Sequence, residues 1–323
     1  MNSSCPGRGL PVVFLGLLVP GAIAIADIRV SPVALYLSDQ DTHERIYVEN
    51  TGPVEKEVTI DMRFGYPVSD VRGQVSFRFV KPDSCEPSAA DWVSVFPQTF
   101  VLPPGESQTV AVLSAPPQGL KEGEYWARPV LSFRPAGSQG GKEPEGEDET
   151  QVVLSVNYRH GEALTGVALE NLSVERSDRK VSVIVEMKRV GNAAFLGNLV
   201  CRLAAEGMPV TQESTEVAVY HTLRRRIEFS VPGKSPGVLT VEAEANARRT
   251  GNKPGDILFA PTVIVRKEFV FNPAPGRCHG GVVRNRPAPA APRVTFKEMK
   301  MDSISISAKL PVAGEERVSS IRR

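Results

Sequence analysis

Histidine is scarce in this 323-residue chain, and its four copies, His43, His160, His221 and His279, stand apart with no second ligand at metal spacing. That pattern excludes an ordinary catalytic metal centre and any resident cofactor held by such ligands. Net charge is nearly absent too. With 38 Lys and Arg against 37 Asp and Glu the chain carries +1, so no global field draws it to nucleic acid. There is no G-x-S-x-G elbow. The glycine-rich stretch Gly137 to Lys142 lacks the G-x-x-x-x-G-K-[ST] order of a phosphate loop. The acids that follow it, Glu143, Glu145, Glu147, Asp148 and Glu149, crowd into one turn where solvation explains them better than acid/base chemistry. These absences read as a binding protein and not an enzyme.

Long apolar runs are confined to the N-terminus. Arg8, the apolar stretch Leu10 to Ile25 and the small-x-small triplet Ala24-Ile25-Ala26 have the form of an export signal over residues 1–26, with Asp27 the expected first residue after cleavage. Export implies an oxidising compartment, yet loss of Cys5 leaves Cys85, Cys201 and Cys278, an odd number with no C-x-x-C spacing. Inert thiols are the expectation, and no disulfide pairing follows.

What is present is alternation. Short runs of period-two hydrophobicity, separated by Gly, Pro, Asn and Asp, predict strands near Ile28 to Leu37, Arg45 to Asn50, Lys56 to Phe64, Trp92 to Phe96, Ser107 to Ala115, Glu124 to Phe133 and Gln151 to Tyr158. That is the size of one immunoglobulin-like sandwich over residues 27–160. A second series, near Gly166 to Val174, Lys180 to Arg189, Gly197 to Leu203, Glu216 to Val219, Arg225 to Val231, Gly237 to Ala245 and Thr262 to Phe271, predicts a second β-sandwich over residues 161–272. The expected fold is all-β, with Trp92, Tyr125 and Trp126 filling the first core. Residues 273–323 hold five prolines between Pro273 and Pro292 and ten Lys or Arg against four Asp or Glu, a flexible basic tail. Its charge suits weak contact with envelope phosphates, although solvation is the commoner explanation of such charge. Arg224-Arg225-Arg226 reads as a solvated strand end, since alternation sends neighbours to opposite faces.

Three stretches of the first domain, "IRVSPVALYLSDQDTHERIYVENTG", "WVSVFPQTFVLPPGESQTVAV" and "GLKEGEYWARPVLSF" followed by "TQVVLSVNYR", resemble the N-terminal domain of the periplasmic chaperones of pilus and fimbrial assembly. The resemblance implies a periplasmic chaperone-like or adaptor protein that binds a secreted or surface subunit by β-strand addition. In that family an Arg of the first strand and a Lys of the seventh grip the subunit's terminal carboxylate. Here the matching positions are Pro32 or Val33, and Ser155. A divergent member whose partner binds without a carboxylate grip is therefore expected.

The candidate partner-binding strand is Gln151 to Tyr158, with Val152, Leu154 and Val156 on one face. Alternation alone leaves open whether that face meets a partner or packs inward. The alternative function is a structural or adhesive surface protein built from the same two sandwiches.

Overall fold

The computed structural model describes residues 27–83, 85–137, 150–177, 179–205, 208–231, 237–249 and 255–271, with the backbone of two short segments at 12–13 and 23–25. The strands are β1 (Val12–Val13), β2 (Ile23–Ile25), β3 (Ile28–Ser31), β4 (Ala34–Ser38), β5 (His43–Asn50), β6 (Lys56–Arg63), β7 (Gly65–Ser69), β8 (Val75–Phe79), β9 (Val93–Phe96), β10 (Thr99–Leu102), β11 (Ser107–Ser114), β12 (Gly123–Pro135), β13 (Thr150–Val153) and β14 (Ser155–His160). There follow β15 (Thr165–Ser177), β16 (Lys180–Gly191), β17 (Phe195–Ala205), β18 (Met208–Val219), β19 (Thr222–Ser230), β20 (Val238–Asn246) and β21 (Val263–Val270). No helix occurs among the described residues, and the chain is all-β.

Two sandwiches result. In the first, a sheet ordered β1-β13-β12-β14-β4, with β6 and β10 beyond the other side of β12, faces a sheet ordered β2-β3-β5-β11-β9. In the second, β15-β16-β19 faces β18-β17-β20-β21. Alternation drives both. Ile46, Val48, Val110 and Val112 project into the first core while their neighbours face outward, and Val181, Val183, Val185, Leu199, Cys201 and Val241 fill the second.

The opening strand divides its pairing. β3 lies antiparallel to β5, whereas β4 lies parallel to β14 in the opposite sheet. Pro32 stands at the break, where a residue without an N–H cannot continue a ladder.

Two of the sequence stretches meet at Asn50. Its buried amide donates to Val54 O (2.8 Å) and Leu102 O (2.9 Å), and its Oδ1 accepts from Gly52 N (3.1 Å). Gly105, at φ +75°, turns the chain after the two prolines and donates to Asn50 O (2.8 Å). This corner fixes the start of β11 against the end of β5.

Three expectations are corrected. Trp92 and Tyr125 pack against the first core, but Trp126 belongs to a separate cluster with Phe64, Ala194, Leu196, Ala218 and Tyr220. Its strand parity sends it to the sheet's outer face, which the second sandwich covers. The segment between Phe64 and Trp92, for which no strand was expected, contains the hairpin β7–β8. The arginine triplet lies within β19 and is bonded: Arg224 to Glu186 (3.2 Å), Arg225 to Thr215 Oγ1 (3.0 Å), and Arg226 to Glu175 (2.9 Å), Glu228 (3.3 Å) and Ser182 (2.8 Å). The acidic loop at Lys142 to Glu149 and the tail from Pro273 lie outside the described residues.

Candidate functional site

The site is the seam between the sandwiches, together with the strand that runs out of it. Trp126 and Arg128 share the outer face of β12, and Ser155 and Asn157 share that of β14. The second sandwich lays Ala194, Leu196, Ala218 and Tyr220 against this face, so side chains that alternation points at solvent become buried.

One end of the seam is a closed tie. Glu124, only 1% exposed, accepts from Trp126 Nε1 (3.0 Å) and Ala194 N (3.2 Å) through one oxygen and from Arg159 Nε (3.1 Å) through the other. Arg159 donates on to the carbonyls of Gly255 (2.8 Å) and Asp256 and stacks over Tyr36, 5.1 Å from its centroid. Asn192 adds bonds to Glu122 O (3.2 Å), Glu162 O (2.9 Å) and Leu164 N (2.7 Å). In the linker, Asp39 accepts from Tyr158 OH (2.7 Å), bonds His160 Nδ1 (2.8 Å) and accepts from Gly161 N (3.2 Å). The bonds from His160 and Tyr158 hold the Asp39 carboxyl below its ordinary range.

The other end is open in its bonding. Arg128 is 0% exposed. Its Nε donates to Gly65 O (2.9 Å) and one terminal nitrogen to Ser155 Oγ, while the guanidinium lies 4.9 Å from the Tyr220 ring centroid and 5.9 Å from that of Phe77. The other terminal nitrogen has no partner, and neither do Asn157 Nδ2 and Tyr220 OH, all buried. No carboxylate reaches Arg128 among the described residues. Each such buried group left unpaired is destabilising, and an anion is the group that a cation with a spare donor can pair with. No group of three or more His, Cys, Asp or Glu gathers as a metal site among the described residues.

The strand-edge expectation divides in two. Val152 (1% exposed), Leu154 (1%) and Val156 (0%) lie in the first core, so this aliphatic face packs inward and cannot be the outward contact. The parity left open by sequence is settled by β12, which shares the face through Ala127, Leu131 and Phe133. Neither half of the strand is a free edge in the described sheet. β14 is covered by β4, but β13 meets β12 on one side and only β1, in parallel register Val12↔Gln151 and Val13↔Val152, on the other. Leu154 N bonds Pro129 O (2.9 Å) and Ser155 N bonds Val33 O (3.0 Å). Continuing that alternation, the main-chain groups of Gln151 and Val153 point to the outer edge.

Ser155, the position that the sequence resemblance matches to a lysine, touches Arg128 from the neighbouring strand. Sequence reasoning sought a cation on the first and seventh strands and missed the one on the sixth. The signal available was parity: Arg128 stands two residues from Trp126, hence on the same face.

No protein-family profile and no curated protein matches the chain. Among solved structures it is similar to the YadV chaperone (TM-score 0.40, 12% identity, 75% of this chain and 100% of that one). It is also similar to the CsuC–CsuE chaperone–tip adhesion subunit complex of Acinetobacter baumannii (0.35, 13%, 62% and 91%). A third is the periplasmic chaperone SfaE (0.37, 11%, 74% and 98%).

Proposed function

We propose that this chain is an exported, periplasmic chaperone-like or adaptor protein that takes a strand of a secreted or surface subunit on the outer edge of β13 and the subunit's terminal carboxylate at Arg128. The observation that carries the reading is the parallel pairing of Val12–Val13 with Gln151–Val152. That edge accepts a strand, and the occupant lies within the segment that export would remove. Cleavage after Ala26 would vacate the edge.

Recognition would then be mostly main-chain, since Val152 and Leu154 are committed to the core. Each ladder bond nets about 0.5–1.5 kcal/mol, and a bond to a charged group about 1.5–3 kcal/mol. A single carboxylate contact therefore equals about two ladder bonds, and it fixes register because it can form only at a chain end. The unpaired terminal nitrogen of Arg128 supports this role, and the reading departs from the expectation of carboxylate-independent binding.

The test is recovery of tagged full-length protein from an exporting host, identification of the subunit that accompanies it, and titration with that subunit carrying a free or an amidated last residue. Amidation should weaken binding by one to two orders of magnitude. Equal binding of the two forms would refute the carboxylate role, and a partner bound equally well when Gln151→Pro removes an edge donor would refute strand addition.

A further inference from the structure

Among the described residues the β7–β8 hairpin forms a two-stranded sheet that shares no ladder with a third strand. Such a hairpin is marginal alone and depends on what it leans against. At its base Val80 N bonds Phe64 O (3.1 Å), and Gly65 and Phe77 roof Arg128. At its tip it crosses to the second sandwich, where Arg224 N donates to Ser69 Oγ (2.7 Å) and Arg226 N to Gly73 O (3.3 Å). Tyr66 adds an edge contact with His221 at 4.5 Å between centroids. Between these anchor points the hairpin spans a hollow of about 420 Å³ lined by Tyr66, Ser69, Glu186, His221 and Arg224. Tyr66 and Val80 pack against the cluster around Trp126, and the hollow lies beside them.

We propose that this hairpin is a movable cover over Arg128, closed in the free protein and lifted when a partner's chain end enters. The purpose assigned to it rests on the carboxylate reading above; the motion does not. A permanent wall would pack against the second sandwich along its length. This one meets it through the tip bonds at Ser69 and Gly73 and the packing of Tyr66 and Val80, with the hollow left between. The cation beneath retains unused hydrogen-bonding capacity that only something arriving from outside can satisfy, and the hairpin is the first-domain element lying over it. The closed cover also shields an unpaired charge and exposed seam from unrelated anions, so that entry requires a ligand able to replace the hairpin's contacts.

Gly73 is the point at which to test it. A Cβ there would lie 2.8 Å from Arg226 N, and its φ of +77° disfavours other residues, so Gly73→Val should unseat the tip. The probe is phenylglyoxal, with labelling of Arg128 in the full chain followed by peptide mass. The parent protein should label slowly, at a rate that stops rising with reagent concentration because opening limits it. Gly73→Val should label at least tenfold faster with an unchanged circular-dichroism melt. Ser69→Ala, which deletes one tip bond without strain, should give a several-fold increase. Labelling unchanged in both variants, or appearing only with global unfolding, would overturn the cover. Hippurate and hippuramide separate the two ideas. Protection of Arg128 in Gly73→Val by hippurate alone supports cover and carboxylate site together, whereas fast labelling with no protection upholds the cover and overturns the carboxylate reading.

Discussion

Arg128→Met separates a guanidinium kept for a ligand from one kept for the fold. Methionine fills much of the same volume, so packing is largely conserved, and what changes is the charge. Losing it removes two charge-assisted hydrogen bonds, to Gly65 O and Ser155 Oγ, worth about 1.5–3 kcal/mol each. It also removes a desolvated cation–π contact with Tyr220 worth about 2 kcal/mol. Against this stands the desolvation of a fully buried cation with no counter-charge, several kcal/mol after relaxation. The two sides nearly cancel, and the variant should fall within about 2 kcal/mol of the parent in urea unfolding. Breaking a buried ion pair would instead destabilise by about 3–5 kcal/mol. Capture of a free-carboxylate subunit should weaken ten- to a hundredfold or more, from the loss of about 1.5–3 kcal/mol. Arg128→Lys should recover part of it. A variant destabilised by more than about 3 kcal/mol, or one that binds normally, would show the reasoning to be wrong.

Leu154→Glu places a carboxylate in the first core beside Val33 and Leu131, and a single-domain melt should collapse; Leu154→Ala should cost about 2–5 kcal/mol. His221 is held below its ordinary pKa by burial and by Arg189. The unfolded chain therefore takes up that proton first, so stability should fall as pH drops below about 6.5. His221→Phe should flatten the dependence in urea midpoints taken from pH 8 to 5. Burial pushes the Cys201 thiol up to about 12 while Cys85 is exposed, so iodoacetamide with peptide mapping should mark Cys85 in the native protein and Cys201 only after denaturation.

Much of the architecture was legible because period-two alternation is a local property. The strands around Arg45 to Asn50 and Ser107 to Ala115 emerge as β5 and β11, and "VENTG" and "LPPG" meet as a hydrogen-bonded corner at Asn50. What was not legible is which face of a strand is inside. Val152, Leu154 and Val156 face the core and Ser155 and Asn157 face the seam, but the reverse assignment satisfies the same pattern. Trp126 and Arg128 show the harder case. Their face is outward for the first sandwich and becomes interior only when the second covers it, a tertiary event that no local window contains. The β7–β8 hairpin escaped notice because its Gly, Pro and charged residues read as loop, and it owes its seating to contacts more than 140 positions away, such as Ser69 with Arg224.

The seam's uneven bonding bears on how a site of this kind is made. At Glu124 a buried charge has every oxygen engaged and an arginine opposite, the condition under which burial holds two bodies in one arrangement. A few residues along the same strand, Arg128 meets no acid among the described residues. If both ends served only to join the sandwiches, apolar residues at Arg128 and Asn157 would join them better, since well-packed hydrophobic replacements of buried ionic groups are often neutral or stabilising. The two ends are complementary. The tie at Glu124 fixes the second sandwich, and with it Tyr220, over Arg128, so the unsatisfied donors are held in place before anything binds. A ligand meeting them would displace the β7–β8 hairpin but not the second sandwich, and preorganisation of that part offsets some of the cost of a buried and otherwise unfavourable cation.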